Sequence, residues 1–594
     1  MTSITSRVVV LLTFFVVLAA NFHAAQAQTY SPPPHFDHIV IIVQENRTPD
    51  TLFGDGPAAD PPQPTVTPTC AGQNGWLPSI DLQNGGPNNW TGGGGGHSGC
   101  SGLTQVTNLN GGGGTHSHLD WEGQYDNGLM DGACNPMTDG GVNCGNGGSN
   151  PNPPYIYAQK GTAAAPGVVA PYFQIAQSYG WANYMFQTNQ GPSYPAHQFL
   201  LSGTSAPVWP TDMFANYFVV DNASFGSSGC TVSDPTIHWV DPTGDPLGNY
   251  PTPMSLGASP YECYDRNTLV TTQNSSGAVS DRIDKAGGAI SWRYYAQTPG
   301  IIWDAPESDP QTCYGLSGPP PVTPIPGCFG AEYSHVIFPG TGTGQSAPIL
   351  TDIQNCNLQK ISWVTPDEAW SDHPGGNPIP SLGPSWVADI INAIGQSSTN
   401  SSGACDYWAG EPTAIFVIWD DWGGFYDHVP PPAVYVGQLG VEGGYTCSAP
   451  NGWGCGDVYG FRVPLLVVSP VTAAGTVSGA IPSGTSFPPP YPPPTQWTHD
   501  FGSILSFIEQ NFYPTGSTQI APPPYTYADS NTLDSVYQGH TVVPLWEFFT
   551  GKARKFTTIA APYSASYFEN YYNSTGSDGK RRQPAGPDAD DDDR

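Results

Sequence analysis

Two short runs of apolar and β-branched residues, each ending in an acidic loop, constrain this chain more than any other feature. The first, Ile39 to Val43, leads through Gln44 into Glu45 and Asn46. The second, Ala414 to Trp419, leads directly into Asp420 and Asp421. Uninterrupted apolar runs of this length suit strands buried on both faces of a parallel sheet, not half-exposed strands with alternating polarity. In open α/β sheets, ligands gather beyond the carboxyl ends of such strands. The two loops, about 375 residues apart, are therefore expected to share one site. Three carboxylates and one amide oxygen meeting there form a hard, oxygen-rich pocket for a divalent cation, with Mg2+, Ca2+ and Mn2+ all compatible. A pocket of that kind implies metal-assisted chemistry on an anionic substrate.

Ahead of the first run, Arg7 precedes the apolar stretch Val8 to Ala20 and the small-residue site Ala25-Gln26-Ala27, the pattern of a secretory signal peptide over residues 1–27. The stretch is shorter than the roughly 20 residues needed to span a bilayer, and no later segment is long and apolar enough, so stable membrane insertion is not expected. All twelve cysteines follow it, and an even count in an exported chain predicts disulfides. Pairing of neighbours gives Cys134–Cys144, Cys230–Cys263, Cys313–Cys328 and Cys447–Cys455. No C-x-x-C spacing supports a zinc site. The net charge of −32, with only 16 basic residues, argues against nucleic acid and anionic membrane surfaces as partners. A small phosphate ester stays compatible, because a bound cation reverses the sign locally.

Charged residues make up only 11% of the chain, against 72 Gly and 64 Pro, so loops must be extensive. One large domain over residues 28–575 is expected, with a Gly/Pro-rich, disulfide-tied insertion at 54–115 and a disordered acidic tail at 576–594. Helices are predicted at Pro171–Tyr179, with Gly180 as the stop, at Trp386–Gly395 and at Phe501–Phe512. Tyr459–Pro470 reads as a further buried strand. Helices alternating with apolar strands indicate an α/β sandwich.

Four more segments hold groups able to do chemistry. Ser193 lies in a Gly-Pro-Ser-x-Pro turn, where proline fixes the backbone around an exposed hydroxyl. Metal coordination is one way to activate such a hydroxyl, although an isolated turn serine is more often structural. His116 and His118 form an H-x-H pair, and either could protonate a departing alkoxide or bind zinc. His373 sits in a Gly/Pro-rich loop. Asp427 and His428 are adjacent, and a carboxylate so placed is expected to be structural.

In combination these segments resemble a family, the secreted bacterial phosphoesterases that include phosphatidylcholine-type phospholipases C and acid phosphatase A. The resemblance is carried in order by VQENRTPDTLFGD, HSH…YDNGLMDG, GPSYPAHQFLLSGT, SWRYYAQTPG, SWVTPDEAWSDHP, IWDDWGGFYDHVPPP, YGFRVPLLVVSP and FGSILSFIEQNF, from His38 to Phe512. It implies an alkaline-phosphatase-like α/β/α sandwich with a large, mainly parallel central sheet and a single-metal site. By the same resemblance Glu45, Asn46, Asp420 and Asp421 are the metal ligands, Ser193 is the nucleophile, and His116 and His373 bind the phosphoryl group and assist the leaving group. The chain departs from the family pattern at Thr48-Pro49, where Ser-Phe is usual, and at Asp421, where Glu is frequent. It departs again at Ala196-His197, where many members have Asn-Arg.

The implied substrate is a small phosphomonoester or a phospholipid. The 17 Trp, 30 Tyr and 24 Phe could line an aromatic mouth for a quaternary ammonium group, although most are expected to pack the core and loops. The competing reading is a secreted binding protein that keeps the fold without turnover. Its Gly/Pro-rich inserts and sequons at Asn222 and Asn274 would suit a carbohydrate-contacting surface. Against it, all seven proposed site positions hold residues able to do the chemistry.

Overall fold

The computed structural model describes residues 35–53, 104–125, 156–205, 290–316, 325–375, 379–400, 405–427, 429, 431, 459–479, 498–512, 544–549 and 551–575, with short stretches between 218 and 263. The expected signal peptide, most of the 54–115 insertion and, Lys580 apart, the acidic tail lie outside these residues, as does His428.

Eight strands build the central sheet: β1 (His38–Gln44), β2 (Gly180–Ala182), β3 (Trp292–Tyr295), β4 (Val336–Ile337), β5 (Ile361–Val364), β6 (Thr413–Trp419), β7 (Leu465–Val468) and β8 (Thr476–Ser478). Their spatial order is β4-β3-β5-β1-β6-β7-β2-β8. The first five in that order run parallel to one another. β7 is antiparallel to both its neighbours, β6 and β2, and β8 is parallel to β2. Every residue of β1 and β6 is buried, which is why both read as unbroken apolar runs. The α/β class with a large, mostly parallel sheet is thus as expected.

The helices that matter for the site are α1 (His118–Tyr125), α2 (Ala170–Ser178), α3 (Ser193–Ser202), α4 (Leu382–Gly395) and α5 (Phe501–Phe512). Side chains of alternating residues point to opposite faces of a strand, so β6 shows which helices cover which face. Phe416 meets Phe507 of α5 edge-on at 5.4 Å, whereas Trp419, of opposite parity, meets Tyr172 of α2 at 4.9 Å. Trp363 lies in register with Ile41 and hence with Phe416, and its indole N–H donates to the Leu200 carbonyl of α3. Helices α3 and α5 therefore cover one face and α2 the other. α4 packs beside α2. This is a three-layer α/β/α sandwich.

Two local expectations change. α4 begins at Leu382, four residues before the predicted start, because Pro384 falls within the first turn, where a missing N–H costs nothing. Gly180 does not cap α2 but opens β2. A Cβ there would stand 2.8 Å from the Phe548 ring, so close packing is what demands glycine. Of the expected disulfides, Cys230–Cys263 and Cys313–Cys328 are present. Cys356–Cys405 forms as well, a pair of consecutive cysteines 49 residues apart that the expected pairings did not include. The other six cysteines lie outside the described residues.

Candidate active site

β1 and β6 pair in register up to Gln44 and Trp419, so their acidic extensions emerge side by side at the carboxyl edge. The strand ladder continues one step further, with the Asp420 N–H donating to the Gln44 carbonyl and the Arg47 N–H to the Asp421 carbonyl. Asn46 adopts the left-handed region at φ 56°, which asparagine tolerates better than most side chains. The turn is matched by Gly423 at φ 61°, where a Cβ would lie 2.5 Å from the Cβ of Asn46. Arg47 is buried behind this turn, its guanidinium 4.5 Å over the Phe425 ring and bonded to the Leu109 carbonyl.

Ser193 is brought to the acidic cluster from the opposite side. It is the first residue of α3 and not part of a turn. Pro192 takes the N-cap position and Pro195 the first turn, both positions where proline's missing N–H is harmless. Ser193 Oγ lies 3.0 Å from Asp421 Oδ2 and 3.4 Å from Glu45 Oε2. The positive end of the helix dipole at this position favours negative charge on that oxygen.

The inward-facing oxygens are held by their other contacts. Asp420 Oδ1 accepts from the backbone N–H groups of Asn46 and Asp421 at 2.9 and 2.7 Å. Asp421 Oδ1 accepts from Asn46 Nδ2 and from the Gly423 N–H, at 2.9 and 2.6 Å. Asp420 Oδ2 and Asn46 Oδ1 are left buried without a hydrogen bond. Glu45, Asp420 and Asp421 are all fully buried, a concentration of like charge that requires compensation. Burial, together with the charge of Asp420, holds the Asp421 carboxyl well above the usual range. Hydrogen bonds from its surroundings and the nearby His197 outweigh burial at Asp420 and lower it. Two orphaned buried oxygens among three carboxylates are what a divalent cation would satisfy, so the residues present fit one.

The histidines divide by role. His116 donates through Nδ1 to the Gly114 carbonyl at 3.1 Å, which turns Nε2 towards Asn46 Nδ2, also at 3.1 Å. Its ring stands edge-on to Trp422 at 6.0 Å and to His373 at 6.4 Å. His373, half-buried, donates through Nδ1 to the Pro374 carbonyl at 2.6 Å. The preceding Asp372 anchors this loop by accepting from the Tyr172 hydroxyl at 2.7 Å and from Trp419 Nε1 at 3.1 Å. Burial raises the Asp372 carboxyl to about 6. His118 is built into the wall instead. It donates to the Gln190 carbonyl at 2.8 Å and stacks on Trp121 at 6.0 Å. Asp427 is structural, as expected, accepting from Arg462 Nε at 2.9 Å.

One site residue was not foreseen. His197 is buried, with Nε2 3.2 Å from Glu45 Oε1 and 3.8 Å from Asp420 Oδ2. Glu45, His197 and Asp420 each offer one atom to a cluster in which all lie within 4.8 Å of one another. Burial drives the imidazole down to about 4, against the pull of Asp420, so the ring is neutral near pH 7. The signal was present: Ser193 and His197 are four apart and share one helical face. Reading Ser193 as a turn residue concealed it.

Known proteins are similar to parts of this chain. A non-hemolytic phospholipase C of Pseudomonas aeruginosa is 26% identical over 310 residues, covering 50% of this chain and 38% of the relative. One from Burkholderia pseudomallei is 32% identical over 186 residues, covering 29% and 22%. Phospholipase C B of Mycobacterium tuberculosis is 28% identical over 239 residues, covering 39% of each. The chain thus spans well under half the length of these curated relatives. The family model described as the phosphoesterase family matches residues 36–513, a span that opens two residues before β1, closes one residue after α5 and contains every site residue described above. By that match the chain belongs to the phosphoesterase family.

Proposed function

We propose that this chain is a secreted, metal-dependent phosphoric ester hydrolase with Ser193 as nucleophile and a phosphoserine intermediate. The observation that carries the reading is the placement of Ser193 Oγ at the start of α3, 3.0 Å from Asp421 Oδ2 and 3.4 Å from Glu45 Oε2. Glu45, Asn46, Asp420 and Asp421 would hold one divalent cation. Such an ion, when bound, lowers the pKa of a serine hydroxyl and offsets charge on phosphoryl oxygens.

The chain's own residues supply the rest. Asp421 Oδ2 is placed to take the Ser193 proton as Oγ attacks phosphorus in line. The bond to the departing alkoxide breaks as His116, in its protonated form and with Nε2 turned from Asn46 Nδ2 to the leaving oxygen, donates a proton from Nε2. His373, facing His116, lines the phosphoryl side. A water molecule then attacks the phosphoserine and gives its proton to His116, the bond to Oγ breaks as Asp421 returns its proton to Ser193, and the phosphate product leaves. Asn46 keeps Asp421 and His116 in fixed relation by bonding to both. Trp121, Trp422 and Phe461 are buried, which supports a packing role beneath His116 for these aromatics and not an open mouth. The disulfides support an extracellular location.

The names of the relatives favour a phospholipid diester as substrate, whereas Asp421 and Ser193 lean towards the monoesterase branch. The full chain, assayed on p-nitrophenyl phosphorylcholine and p-nitrophenyl phosphate side by side, with and without chelator, is expected to hydrolyse at least one and to lose that activity on chelation. Turnover of neither by metal-loaded protein removes the hydrolase reading in favour of a binding protein. Turnover that survives complete metal removal removes the metal.

A further inference from the structure

The ligand set implied by the resemblance contains only oxygen, and oxygen alone does not discriminate Mg2+ from Ca2+ or Mn2+. The structure adds a nitrogen. His197 Nε2 faces Glu45 Oε1 at 3.2 Å and Asp420 Oδ2 at 3.8 Å, with all three side chains shielded from solvent. Two donors about 2.0–2.2 Å from one ion at a tetrahedral angle stand roughly 3.3–3.6 Å apart. The observed separations bracket that range. On the far side of the ring, Nδ1 lies 3.4 Å from the Tyr294 hydroxyl. That hydroxyl gives its own proton to the Trp303 carbonyl at 2.7 Å, so its oxygen is left to accept from Nδ1–H. In the tautomer that gives Nδ1–H to this oxygen, the Nε2 lone pair is turned towards two carboxylates. A cation between them would be bound by all three groups. A ligating histidine that donates its second N–H to a polar partner is the usual arrangement in metal sites.

We infer that His197 Nε2 is a ligand of the active-site cation, and that this nitrogen makes the site select a first-row transition ion, Zn2+ ahead of Mn2+, over Ca2+ and Mg2+. Imidazole binds Zn2+ and its first-row neighbours well, whereas Ca2+ and Mg2+ are served by oxygen. The inference rests on the metal-dependent site proposed above and deepens it by naming the ion class.

The test uses the full chain, stripped with chelator and dialysed against equimolar Mg2+, Ca2+, Mn2+ and Zn2+, with bound metal counted by mass spectrometry. The wild type should retain one Zn2+ per chain in preference to the others. His197→Ala should weaken Zn2+ binding at least about tenfold and flatten the preference. X-ray absorption on the zinc-loaded wild type should show imidazole scattering, a readout that stands even if the variant misfolds. Retention of Ca2+ or Mg2+ ahead of Zn2+, no bound ion, no imidazole at the metal, or wild-type selectivity in a folded His197→Ala would each overturn the inference. Ser193→Ala separates it from the hydrolase reading, because that variant should keep the zinc preference while losing turnover. If the wild type selects zinc through imidazole but hydrolyses nothing, the hydrolase reading fails and the ligand stands. If it hydrolyses on Mg2+ or Ca2+ without imidazole at the metal, the reverse holds.

Discussion

Asn46 Nδ2 donates to His116 Nε2 over 3.1 Å while the same amide donates to Asp421 Oδ1 over 2.9 Å, so one side chain ties the proposed acid to the acidic cluster. His116→Ala should therefore depend on the leaving group. With an alcohol that needs a proton to depart, kcat/KM should fall about 10²–10⁴-fold. With p-nitrophenolate, which departs unaided, the loss should be small. A plot of rate against leaving-group pKa, steeper in the variant than in the wild type, is the expected result. A parallel plot removes His116 as the acid.

Ser193→Ala should cost about 10⁴-fold or more in turnover, since a group that forms the covalent intermediate has no substitute. The fold should survive, because α3 is started by the prolines and not by the serine hydroxyl. Circular dichroism with a melting curve near that of the wild type, beside absent turnover, is the expected pair of observations. Rapid quench of the wild type with a labelled phosphomonoester should trap phosphoserine at position 193.

Arg462 and Asp427 form a fully buried pair at 2.9 Å, extended by Arg462 to Asp50 at 3.3 Å and to the Asn183 carbonyl at 2.9 Å. Removing one partner strands the other in the interior. Asp427→Ala should destabilise the protein by about 3–5 kcal/mol in denaturant unfolding. Replacing Arg462, Asp427 and Asp50 together with well-packed apolar side chains should cost far less than Asp427→Ala alone.

Asp389 lies in α4 with one carboxylate oxygen lacking a hydrogen bond. Burial, with help from Glu569, raises it to about 8. An acid whose folded pKa exceeds its unfolded value of about 3.9 binds more protons when folded between those two values. Its contribution to stability is complete below about pH 4 and is lost as pH rises towards 8. Asp389→Asn should flatten that slope and raise the melting temperature near pH 7. An unchanged pH profile would show that this carboxyl does not titrate in the stated window.

How much of this was legible depended on whether the signal was local. β1 and β6 announce themselves because burial on both faces leaves no polar residue in either run, and Asp420-Asp421 follows without a spacer. The reversed direction of β7 was not readable, since an apolar tetrad looks the same in a parallel or antiparallel ladder. Cys356–Cys405 escaped although the two are consecutive cysteines, because their separation of 49 residues exceeds the 33 and 15 of the expected pairs that form. His118 and His116 are two residues apart and looked equivalent. Only the neighbouring Gln190 carbonyl and the Trp121 ring show that one is masonry and the other faces the cluster.

The position of β1 in the sheet has a consequence for how the protein is made. Strand β1 leaves the ribosome more than 300 residues ahead of its two neighbours β5 and β6, so Ile39 waits for Ile361 on one side and Ala414 on the other. Until both arrive, a strand with the unbroken apolar run Ile39–Val43 has no ladder, and such long-range pairing is slow to form and exposed to misassociation. Glu45 and Asn46 exist early but meet Asp420 and Asp421 only when the sheet closes. A nascent or truncated chain that stops short of β6 thus lacks the partner that brings the two acidic loops together.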